Sequence, residues 1–95
     1  MISFIVRMRF APEDREQVSE ALRRLTDASR QEPGCVSYIP HEVAGEPNTI
    51  LIYEQYRDKE ALEAHRASPH FHNHAIGGIY QWMRERSAED LNALA

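Results

Sequence analysis

Residues 2–10 alternate apolar and polar side chains with a period of two, and this run restricts the fold more than any other stretch of the chain. Ile2, Phe4, Val6, Met8 and Phe10 fall on one side, and Ser3, Ile5, Arg7 and Arg9 on the other. Such a pattern predicts a strand with one well-buried face, which needs a second layer packed against it. The next residues offer that layer. Ala11-Pro12-Glu13-Asp14 starts a helix, with proline in the first turn and acids at the positive end of the helix dipole. Val18, Ala21, Leu22, Leu25 and Ala28 form one apolar stripe at helical spacing, and Pro33-Gly34 ends it.

Cys35 to Val43 reads as a second strand. Pro40 lacks an amide proton, which predicts an edge position or a bulge. Ala44 to Asn48 reads as a turn and Thr49 to Tyr56 as a third strand. Its run Ile50-Leu51-Ile52-Tyr53 predicts burial on both faces. Asp58 is placed to cap a short helix reaching His65 or Arg66. After Ser68-Pro69, the residues Phe71, Ala75, Ile79 and Trp82 continue at helical spacing, weakened by Gly77-Gly78. The tail from Glu85 to Ala95 favours helix by composition and alternates weakly as a strand would; both readings stay open. The expected fold is therefore α+β, with residues 1–95 as one domain. If the tail supplies a fourth strand, it is a ferredoxin-like split βαβ sheet with helices on one face.

Composition narrows the function. A net charge of −4 with no basic patch argues against nucleic acid. Every apolar run is too short to span a bilayer, Arg7 and Arg9 interrupt the first one, and the lone Cys35 has no internal disulfide partner. These features point to the cytoplasm. No glycine-rich phosphate loop follows the first strand, so flavin and nicotinamide binding find no support. A chain of 95 residues that also keeps a cavity has little core to spare, which favours a homodimer.

Three features carry candidate chemistry. Glu54 shares a strand face with Ile50, Ile52 and Tyr56, where a carboxylate is costly unless paired. It is either a strand-end acid bonded to an arginine or a helix N-terminus, or a polar group aimed into a pocket. His65 lies on the apolar side of its helix; a satisfied core histidine and a general base are both compatible with that place. The run His70-Phe71-His72-Asn73-His74 would share a face, and bind a metal, only if extended; after Ser-Pro it reads as helix or loop, so no metal site is assigned. Cys35, small and apolar at a strand start, is read as inert.

Two stretches carry a family resemblance. Glu32-Pro33-Gly34-Cys35-Val36-Ser37-Tyr38 is similar to an E-E/P-G-C-x-x-Y turn. Tyr53-Glu54-Gln55-Tyr56, then Glu60 to His65, then Ser68-Pro69-His70-Phe71 is similar to a Y-E-x-W/Y…H-x-x-S/T-P-H-F/Y segment. Together they resemble the antibiotic biosynthesis monooxygenase (ABM) family. The resemblance implies a dimeric α/β barrel with a pocket between sheet and helices, and oxidation of quinols or polycyclic phenols by O₂ with no metal or flavin. It carries His65, His70 and Glu54 over as catalytic candidates, with His65 or His70 as the base. Tyr38, Tyr56, Phe71 and Trp82 are candidate substrate-binding side chains. Two departures stand out: Pro40 within strand two, and a helix-favouring tail where the family has a strand. The haem-degrading branch would call for an asparagine on the first strand, whereas the first asparagine is Asn48. Two alternatives remain. An isomerase of a small, phosphorylated ketone would need Arg7 or Arg9 to face the pocket. A non-enzymatic binding dimer would keep only the cavity.

Overall fold

The computed structural model describes residues 1–95. The first strand, β1, runs Ile2–Arg9 and buries Phe4, Val6 and Met8 on the expected face. Pro12–Asp14 forms a 3-10 turn that leads into α1, Arg15–Ser29. Val18, Ala21 and Leu25 of α1 are buried against the sheet. Strand β2, Cys35–Val43, and strand β3, Glu46–Tyr56, form a hairpin. Helix α2, Lys59–Ala67, starts at Asp58, whose carboxylate accepts from the Ala61 amide at 2.8 Å. A π-helix, Phe71–Ile79, and one further helical turn, Tyr80–Trp82, lead to β4, Glu85–Leu91.

The sheet is antiparallel in the order β2-β3-β1-β4, as the split βαβ reading requires. Pro40 lies on edge strand β2, where a missing donor is tolerated. The irregularities of that strand fall elsewhere, between Cys35 and Ser37 and between Glu42 and Val43. The core joins β1, α1, β3, α2 and the π-helix through Phe4, Val6, Met8, Val18, Leu25, Ile52, Leu62 and Ile79. Each fully buried aliphatic side chain of this kind contributes about 1.5–3 kcal/mol.

The structure corrects the sequence reading at two places and decides a third that the sequence leaves open between helix and strand. The hairpin turn is only Ala44-Gly45, because Gly45 takes a positive φ of 81° and reverses the chain at once; Glu46, Pro47 and Asn48 join β3. The segment after Pro69 keeps its apolar face, with Ala75 and Ile79 buried, but winds as a π-helix. Wide turns of this type concentrate at functional sites. The tail is strand, not helix. The free edge of β1 pairs with it from Ser3↔Leu91 to Arg9↔Glu85, and this pairing outweighs the helical preference of an exposed segment. The supposed departure from the family pattern therefore disappears.

Gly34 decides how closely the turn before β2 meets α2. The Cys35 amide donates to the Glu32 carbonyl at 3.1 Å, closing a turn with Pro33 and Gly34 at its centre. A Cβ on Gly34 would lie 2.3 Å from the Ala61 Cβ. Replacing it forces the turn and α2 apart. Gly34→Ala should lower the unfolding free energy by about 1–3 kcal/mol, the usual cost of overpacking. Urea denaturation measures this; unchanged or increased stability would show that the contact is not tight.

Candidate active site

Between the helices and the covered sheet face lies a cavity of about 20 Å³. Val6, Met8, Leu25, Ile52, Phe71, Ala75 and Ile79 supply most of its wall; Tyr38, Tyr80, Glu54 and His65 supply its polar atoms. Three elements deliver the chemistry. On β3, Glu54 sits opposite Tyr38 of β2 and Phe4 of β1, so the period-two pattern that buries the apolar residues also buries this carboxyl. Two residues on, Tyr56 shares its face and donates to Glu54 Oε1 at 2.7 Å. On α2, His65 lies on the inner side and is 2% exposed.

His65 stands between two carboxyl groups. Its Nδ1 is 2.8 Å from Glu32 Oε2, and its Nε2 is 3.8 Å from Glu54 Oε1. Aromatic rings enclose it, with Tyr56 at 5.1 Å, Phe71 at 5.2 Å and Tyr38 at 5.8 Å between centroids. Burial disfavours charge on both central groups. It raises the Glu54 carboxyl from 4.5 to about 7, against the opposing hydrogen bond from Tyr56. Burial also lowers His65, although the hydrogen bond to Glu32 pulls the other way. The site thus holds a neutral imidazole beside a carboxyl that is poised between its two forms near neutrality. The Tyr38 and Tyr56 phenols are pushed upward, chiefly by burial, and stay protonated. Cys35 is raised to about 11 by burial and remains a thiol.

Of the residues singled out in the sequence, Glu54, His65, Tyr38 and Phe71 meet at the cavity. Tyr56 stands behind Glu54 as its donor. His70 lies outside the cavity wall, with Nε2 2.5 Å from Glu32 Oε2. Trp82 also lies outside that wall, with its ring beside Gly78. The pairing expected for a bland Glu54, an arginine or a helix N-terminus, is replaced by the tyrosine hydroxyl. Of the histidine run, His72 is exposed, and only His70 joins the acid-base group. Glu32 is the site residue that sequence reasoning missed. Its only signal was its place at the head of the Pro-Gly turn. Glu32, His65 and His70 bring donor atoms within 4.8 Å of one another, close enough to share an ion. Both imidazole contacts are at hydrogen-bond length, so the grouping is equally explained by hydrogen bonding alone.

The antibiotic biosynthesis monooxygenase family profile matches residues 1–75. The chain is 41% identical over 70 residues to Rv0793 of Mycobacterium tuberculosis, which is provisionally named a monooxygenase; the match covers 70% of this chain and 66% of that one. The solved structure of Rv0793 superimposes with a TM-score of 0.88 at 28% identity, covering 99% of this chain and 95% of the other. YcnE of Bacillus subtilis, also provisionally named a monooxygenase, is 31% identical over 78 residues, 82% of each chain. A Synechocystis protein, sll1783, is 36% identical over 61 residues, 64% of this chain but only 42% of that longer one. The profile match and the shared architecture agree, and the chain belongs to the antibiotic biosynthesis monooxygenase family.

Proposed function

We propose that the chain is a cofactor-independent monooxygenase acting on a quinol or polycyclic phenol, with His65 as the general base. One observation carries this reading: a buried imidazole in the wall of an apolar cavity that Tyr38, Phe71 and Tyr80 also line, with its Nε2 toward a carboxyl poised near neutrality. A neutral imidazole accepts a phenolic proton at neutral pH. The phenolate is then electron-rich enough to reduce O₂ itself. One oxygen atom bonds to the activated ring carbon, and the other leaves as water with two substrate hydrogens. The surrounding groups suit the anion. A protonated Glu54 can donate a hydrogen bond, and the dry wall strengthens every such contact. Nothing in this scheme needs a bound flavin or metal.

The cavity holds about one water, too little for an aromatic ring. Substrate entry therefore requires a wall to move. The π-helix supplies Phe71, Ala75 and Ile79 to that wall and contains Gly77-Gly78, which makes it the element suited to yield. The isomerase alternative is weaker for a phosphorylated substrate. Arg7 and Arg9 sit on the opposite sheet face, bonded to Glu46 and Glu85, and the cavity wall contains no lysine or arginine.

The same opposite face supports a homodimer. Ile5, Leu51 and Tyr53 are half-buried, Ile39 is 43% exposed, and no helix covers them. Apolar area of this kind marks an interface, and a two-fold axis lets one patch cover its copy.

Two tests follow. His65→Ala and Glu54→Gln should each lower oxygen uptake with a reduced quinone or anthrone by about 100-fold or more per folded molecule, in a protein that still unfolds cooperatively and without sensitivity to chelators. Full activity per folded molecule would make both residues structural. Light scattering should give a dimer mass at micromolar concentration for the wild type and a monomer for Leu51→Lys, because a lysine buried without a partner opposes association. A monomeric wild type, or an equally stable dimer with the lysine, would rule out the sheet-to-sheet interface.

A further inference from the structure

The acid-base group extends beyond the cavity to a residue that the reaction scheme does not use. Glu32 sits in the turn before β2, far in sequence from His65 and His70, yet both imidazoles meet its Oε2. The packing explains the meeting. Gly34 lets the turn close onto Ala61 of α2, and His65 lies one helical turn beyond Ala61. Ser68 fixes the other side. Its hydroxyl donates to the His65 carbonyl at 2.6 Å and accepts from the Phe71 amide at 3.2 Å, which ties His70 to the end of α2. The Glu32 side chain is 15% exposed, and its Oε1 is buried without a hydrogen-bond partner. A carboxylate held there with one idle oxygen is costly for a purely structural link.

We propose that Glu32 is a positioning residue: by accepting from Nδ1 of His65 it fixes the tautomer whose Nε2 lone pair faces the cavity, while His70 braces the same carboxylate oxygen instead of acting as the base. The role rests on His65 being the base. An imidazole has one proton in its neutral form, so a proton held at Nδ1 leaves Nε2 free to accept. The paired carboxylate also stabilises the imidazolium formed after proton transfer. His70 is only partly buried and lies outside the cavity wall, with its Nε2 already engaged. It therefore serves the carboxylate and not the substrate. The titratable and charged groups around His65 are Glu32 from the turn, Glu54 and Tyr56 from β3, Tyr38 from β2, Arg66 beside it on α2, and His70 after α2.

Long-range proton–nitrogen correlation spectra of ¹⁵N-labelled protein report the tautomer directly. Wild-type His65 should carry its proton on Nδ1, and Glu32→Gln should shift it toward Nε2. In the same variant kcat should fall at least about tenfold with little change in KM. The acid limb of kcat/KM should move to lower pH, since loss of the anion makes the imidazolium harder to form. His70→Asn should keep the Nδ1 tautomer of His65 and lower kcat less than Glu32→Gln does. A wild-type His65 protonated on Nε2 would overturn the role of Glu32, and this measurement needs no variant to fold. So would a Glu32→Gln protein whose tautomer and acid limb are unmoved. Activity lost in His70→Asn as fully as in His65→Ala would overturn the bracing role. The spectra do not depend on turnover. Absence of oxygen uptake in a wild type with the expected tautomer would therefore count against the reaction alone.

Discussion

Placing the Glu54 carboxyl on the covered face of a four-stranded sheet governs the rest of the site. The position is set by the period of β3, which puts Glu54 in the row of Ile52 and Tyr56. An ionised carboxylate there would lose its hydration, and the one hydrogen bond from Tyr56 offsets only part of that loss. The group answers by holding its proton up to about neutral pH. The same burial keeps His65 neutral. A neutral imidazole and a protonated carboxyl can therefore stand 3.8 Å apart without forming an ion pair.

The fold supplies this pair cheaply, since each contributing residue also has a packing role. Tyr38 lies beside Glu54 across the strand pair, Phe71 packs edge-on to His65, and the Pro-Gly turn brings Glu32 to the back of the imidazole. Membership in the ABM family agrees with this architecture: the sheet and the helices above it recur in a relative of modest sequence identity.

Much of the fold was legible in the sequence because local period and tertiary role coincide. The alternation of β1, the α1 stripe, the Asp58 cap and the edge placement of β2 follow from residue pattern alone. The tail was not legible. Glu85–Leu91 is exposed along its whole length, so no buried face imprints a period on it, and its strand state comes from the β1 edge. The π-helix escaped for a related reason: residues four apart suit an α-helix and a wider winding almost equally. Within the site, Glu54 and His65 were visible as polar residues on apolar faces. Glu32 was not, because a turn residue carries no period, and only the close approach at Gly34 brings it to the histidines.

The protonation of Glu54 gives the most direct test. Folding favours the neutral carboxyl, so the native chain keeps a proton that the unfolded chain gives up above its ordinary value of 4.5. The contribution of this group is complete below that value and declines as pH rises through about 7. The measurement is the unfolding free energy of the wild type and of Glu54→Gln from about pH 5 to pH 8, taken as a difference so that His65 and the surface groups cancel. The account predicts that the wild type loses roughly 2–3 kcal/mol relative to the glutamine variant across this range. A difference that does not change with pH, or one in which the wild type gains stability as pH rises, would mean that Glu54 is ionised in the native chain and would contradict the account.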